Sequence, residues 1–104
     1  MNAITIYGKI SSEPVYAAKG ARTKTLDFIV AVKRHSKKPG GAGADFIPVR
    51  IWGALADDVK DVEYGDRILI HGRLRVERDG TCVVSAHDAW LPDYEEDTHG
   101  GRKK

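Results

Sequence analysis

Apolar and polar residues alternate with period two along most of this chain, and the alternation breaks at turns rich in glycine, proline and aspartate. Ile4–Lys9 reads as a first strand ending near Gly8, followed by a polar loop containing Pro14 and Gly20. Leu26, Phe28, Val30 and Val32 then alternate with Asp27, Ile29, Ala31 and Lys33, which predicts a second, longer strand with Phe28 in the core. Residues 34–43 form a basic, glycine-rich stretch expected to be a mobile loop. A third strand covers 45–53. Leu55, Val59 and Val62 recur at helical spacing and predict a helix over Ala54–Val62, with Gly65 as its stop and with Asp57 and Asp58 as first-turn acids complementing its dipole. Arg67–Val76 is a fourth strand, with Ile68, Ile70 and Gly72 on one side and Leu69, His71 and Arg73 on the other. Asp79-Gly80 marks a hairpin turn, since that pair tolerates the positive φ such turns need, and Thr81–Leu91 returns as the last strand. Residues 93–104 are polar, with four acids and three terminal cations, and are expected to be a disordered tail to a domain spanning 1–92.

The third strand has two unlike faces. Ile47, Val49 and Ile51 make an apolar face of the kind a strand turns to a core. Its other face carries Phe46, Pro48, Arg50 and Trp52, two aromatics with a guanidinium between them. An unpaired cation buried there would cost several kcal/mol, so this face is expected at the surface. Aromatic rings and cations on one face suit a ligand with flat bases and a negative backbone, and single-stranded nucleic acid is such a ligand. Three strands, one short helix and a closing hairpin match an all-β, five-stranded OB-fold, a Greek-key barrel with its helix between strands three and four, which binds oligonucleotides across strands two and three.

Composition narrows the picture further. A chain of 104 residues, 41% hydrophobic and 31% charged, is one soluble domain. It holds no apolar run of transmembrane length, its start does not resemble a signal peptide, and the single Cys82 suits a reducing cytoplasm. Net charge is only +2, but Lys33, Arg34, Lys37 and Lys38 put four cations into six positions. Such crowding is relieved when a phosphate chain approaches and counterions leave. Arg73 and Arg75 share a face of the last hairpin, with Glu77 able to pair with a neighbour. His71, Cys82 and His87 lack metal-ligand spacing, and no phosphate-cradling loop precedes a helix. We therefore expect neither a metal, nor a cofactor, nor an enzyme.

Separated pieces of the chain resemble the bacterial single-stranded-DNA-binding protein family. Met1–Ile10, ending Gly8-Lys9-Ile10, is similar to that family's first strand, which runs into a Gly-Arg/Lys-Leu turn, and Glu13-Pro14 falls where the family usually has an acidic-Pro pair. Phe28–Arg34 resembles its second strand, Ala44–Asp57 its third strand and helix entry, and Gly65–Leu74 its fourth strand. The match runs in order over residues 1–91. It implies a homo-oligomer, tetramer or dimer, that coats exposed strands during replication, recombination or repair. It further implies that Thr5 and Tyr7, opposite Ile4 and Ile6, face a partner subunit; Trp90, at the end of the last strand beside Leu91-Pro92, is read from its position as packing or a subunit contact. Phe46 and Trp52 would stack bases, and Lys33, Arg34, Lys37, Lys38, Arg50, Arg73 and Arg75 would follow phosphates. The chain departs from the family in ending with Gly-Gly-Arg-Lys-Lys rather than an acidic tip, so the tip's repair and replication partners are not expected. It also lacks aromatics at Arg34, His35 and Ser36 and at the hairpin tip, which leaves the stacking to few rings. A primosomal accessory OB-fold protein is the nearest alternative reading. A protein-docking OB module comes next and a small nuclease last. A steep fall of affinity with salt would separate a DNA binder from a protein-docking module.

Overall fold

The computed structural model describes residues 1–20, 23–35 and 43–92. Six strands and one helix follow each other as β1 (Ile4–Ile10), β2 (Val15–Ala18), β3 (Lys24–Lys33), β4 (Ala44–Trp52), α1 (Gly53–Asp58), β5 (Arg67–Val76) and β6 (Cys82–Trp90). The sheet order is β1-β5-β6-β4-β3-β2, and a second pairing of β1 with β3 closes five of the strands into a barrel. Only the β4–β6 pairing is parallel among these.

Period-two alternation built these strands as expected. Leu26, Val30, Ile51, Ile68, Ile70 and Val84 are fully buried, and Phe28 and Val49 nearly so, all pointing into the barrel. Each such side chain contributes about 1.5–3 kcal/mol by leaving water. Closure depends on β1 pairing with β5 over Ile4–Lys9 while Lys9 and Ile10 pair with β3. Gly8 makes that crossing feasible, because a Cβ there would lie 2.1 Å from the Ala31 carbonyl oxygen. The β5–β6 hairpin turns where expected, with Gly80 at φ 90° and the Glu77 N–H donating to the Thr81 carbonyl oxygen at 2.8 Å.

Two expectations change. Residues 15–18 are a strand rather than part of a polar loop: β2 pairs antiparallel with β3, from Val15 opposite Asp27 to Ala18 opposite Lys24. The helix covers Gly53–Asp58 rather than Ala54–Val62; Val59 leaves helical geometry, and Val62 reaches the core through the following turn. Asp57 and Asp58 therefore lie in the last turn, where the dipole gives them no support. Asp57 instead accepts a hydrogen bond from the Tyr16 hydroxyl at 2.9 Å and meets Lys60 at 3.3 Å and Lys24 at 3.5 Å. Those bonds, the Tyr16 one first, hold its carboxyl below the usual carboxylate range, and the same bond raises the Tyr16 phenol. The result ties β2 to α1, which buries Ala56 in the barrel core.

Candidate nucleic-acid interface

The outer face of β3 and β4 gathers the residues that the sequence singled out, because residues in register across a ladder share a face. Thr25 lies opposite Trp52, Asp27 opposite Arg50, Ile29 opposite Pro48, Ala31 opposite Phe46 and Lys33 opposite Ala44. On the far side of β4, Arg50 pairs with Ser85 of β6, and Ser85 with Arg73 of β5, so the face continues into the hairpin. Phe46 is 64% exposed and Trp52 42%, a large apolar area for water to cover. At strand rise, six residues separate the two rings by about 20 Å, too far to clamp one base and far enough to stack different ones. Between them a shallow groove of about 400 Å³ runs over Ile29, Pro48, Arg50 and Val83.

Charge on this face is largely matched already. The Arg50 guanidinium donates through Nε to Asp27 Oδ1 at 2.7 Å and through Nη2 to Asp27 Oδ2 at 3.2 Å, a two-pronged contact. That hydrogen bonding raises the Arg50 pKa still further, against the opposing effect of burial. Glu77 approaches the same guanidinium at 3.9 Å and Arg75 at 3.4 Å. The indole of Trp52 has Arg50 at 5.5 Å and Arg75 at 5.8 Å from its ring centroid, two cation–π contacts that fix its plane. Arg34 is bound to Asp45 at 2.8 Å, where the β3–β4 ladder ends. Lys33 and Arg73 are exposed and meet no carboxylate among the described residues. Lys37 and Lys38 lie outside the described residues.

Sequence reasoning missed two of the carboxylates that engage these cations, Asp27 and Asp45. Asp27 alternates with the core residues Leu26 and Phe28, so its parity puts it on the outer face; only the β3–β4 register reveals Arg50 as its partner. Glu77 was recognised as able to pair, and it binds Arg75 and Arg50 together. No group of three or more His, Cys, Asp or Glu among the described residues could hold a metal ion. Thr5 and Tyr7 sit on the outer face of β1. The Thr5 hydroxyl lies 2.9 Å from His71 Nδ1, and Tyr7, 44% exposed, heads a cross-strand row that continues through Leu69 to the exposed Trp90.

Fold and site together define a small OB barrel whose outer sheet face is an aromatic surface set among guanidinium and ammonium groups. Residues 1–81 match the model of the Single-strand binding protein family, and the chain belongs to that family. A single-stranded DNA-binding protein of Clostridium tetani is 33% identical over 87 residues, which is 78% of this chain and 60% of that protein. Single-stranded DNA-binding protein 1 of Clostridium acetobutylicum is 32% identical over 79 residues, covering 73% of this chain and 72% of its own. The chain thus spans only about 60% of the length of some curated relatives. Among solved structures, the second single-stranded DNA-binding protein of Mycobacterium smegmatis superimposes with a TM-score of 0.74 over 88% of both chains at 23% identity, a likeness of fold. The dimeric N-terminal domain of PriB from Thermoanaerobacter tencongensis matches with a TM-score of 0.69 at 26% identity, over 86% of this chain and 94% of that one. No helix among the described residues is long and apolar enough to cross a membrane, which says nothing of membrane β-barrels.

Proposed function

We propose that residues 1–92 bind single-stranded DNA without reading its sequence, by stacking bases on Phe46 and Trp52 and holding phosphates on the cations beside them. The observation that carries this reading is the pair of exposed aromatics on one outer face of β4, with cations around them. Lys33 and Arg73, with Lys37, Lys38 and Arg34, supply phosphate contacts, while Arg50 and Arg75 hold Trp52. The activity is binding rather than catalysis, exercised in the cytoplasm to protect exposed strands during replication, recombination or repair. Assembly into a homodimer or homotetramer, through the Thr5 and Tyr7 face with Leu69 and Trp90, gathers several such short surfaces along one strand. The relatives named as single-stranded DNA-binding proteins favour this role.

Titration with a dT oligomer tests the stacking. Binding quenches tryptophan fluorescence, and Trp52→Ala removes most of that signal, leaving Trp90, while weakening affinity about 5- to 150-fold for the loss of one stacked base worth roughly 1–3 kcal/mol. Unchanged quenching in that variant would refute the assignment. A second reading, an accessory protein of replication restart, is favoured by the match to the PriB domain over nearly all of that chain. Such a protein would bind single strands by the same surface, and would differ in delivering them to a helicase-loading partner, which co-purification with that machinery would reveal.

A further inference from the structure

Beyond Phe46 the same outer face continues onto β1. Phe46 is in register with Ala31, Ala31 with Lys9, and Lys9 with Arg67, so one cross-strand row runs through β4, β3, β1 and β5. Where β1 and β3 part, this row borders a cleft of about 400 Å³ lined by Tyr7, Lys9, Ala31, Lys33, Ala44 and Arg67. The cleft differs from the groove beside Arg50, whose lining includes Glu13 and Asp27; no carboxylate lines it. Lys9 and Lys33 form no ion pair among the described residues, in a chain where Arg34, Arg50, Arg75, Lys24 and Lys60 all do. Gly8 keeps the seam low, since it presents no side chain against Ala31. Unmatched ammonium groups over an apolar floor fit a chain of phosphates.

We propose that bound single-stranded nucleic acid runs past Phe46 and over the β1–β3 seam, where Lys9 and Lys33 hold its phosphates. This rests on the proposed binding of single strands by the Phe46–Trp52 surface and gives that binding a direction and a longer footprint. Lys9 is exposed and lies away from Trp52, so Lys9→Glu leaves the fold and the quenching reporter in place.

The test compares Lys9→Glu with the unmodified chain on two dT oligomers, one of about 6 nucleotides and one of about 20, chosen within and beyond the reach of a single OB surface. The short oligomer is expected to bind both proteins equally. The long one should bind the variant about five- to tenfold more weakly, with a salt slope shallower by about 0.7, the share of one phosphate contact on a single strand. Equal loss on both oligomers, no loss on either, or an altered assembly mass by light scattering would overturn the proposal. So would a loss confined to a poly-glutamate probe, which would assign the cleft to an acidic protein segment instead. Failure of the unmodified chain to bind either oligomer would remove the underlying reading, and this proposal with it.

Discussion

Asp27→Asn separates the structural from the ligand-binding use of Arg50. The bond it weakens is a two-pronged, charge-assisted contact of 2.7 and 3.2 Å between adjacent strands. A hydrogen bond to a charged group is worth about 1.5–3 kcal/mol when shielded from water. Here the Arg50 and Asp27 side chains are 34% and 38% exposed, so solvent screening reduces the figure to about 1 kcal/mol. For a domain of this size that lowers the melting temperature by about 4–8 °C. A double-mutant cycle with Arg50→Gln should return a coupling energy of similar size, because the partners touch.

Binding moves the opposite way. With Asp27 in place, a phosphate near Arg50 meets a guanidinium whose charge is already matched, so Arg50→Ala should leave the salt slope of dT binding unchanged while reducing quenching as Trp52 loses one of its cations. Asp27→Asn frees that guanidinium, with Glu77 at 3.9 Å still near it. Affinity then rises at low salt, and the slope steepens by up to about 0.7, the value for one additional phosphate on a single strand. The assay is fluorescence titration over a salt series. A flatter slope in Arg50→Ala together with an unaltered one in Asp27→Asn would show that Arg50 already grips a phosphate, and would refute the reasoning.

Gly8→Ala should abolish the native barrel or destabilise it by several kcal/mol, since the added Cβ would sit 2.1 Å from the Ala31 carbonyl oxygen and neither backbone can yield without opening the β1–β3 seam; a urea midpoint equal to that of the unmodified chain would contradict this. The Tyr16–Asp57 link should show at both ends of the pH range. Asp57, held below its ordinary 3.8, stabilises the fold above that value and loses its contribution as pH falls through its lower folded pKa. Tyr16, raised above 10.0, contributes fully below that value and loses its contribution as pH rises through its higher folded pKa. The melting-temperature gap between the unmodified chain and Tyr16→Phe should therefore be widest between about pH 5 and 9 and close toward either extreme; a gap independent of pH would argue against the link.

Parity along a strand was enough to place Phe28 in the core and Phe46 and Trp52 outside it, because a period of two leaves a side chain only two faces. The Asp79-Gly80 turn was equally legible, its backbone demand being local. Residues 15–18 were not, since Val-Tyr-Ala-Ala after Pro14 carries no alternation of its own and is a strand only because β3 offers it a ladder. The helix was read too long for a related reason. Val62 reaches the core from a turn, and a burial pattern records which side chains go inward without recording the backbone that carries them. The electrostatics of the site lay deeper still. Arg50 reads as a lone cation between two rings, and its partner stands 23 positions away, brought opposite by the register of β3 on β4. Parity names the face a charge occupies, whereas register names the charge beside it. In a sheet surface proposed to bind a polyanion, the second fact shows which cations already have a carboxylate beside them: Arg50 does, while Lys9, Lys33 and Arg73 have none among the described residues.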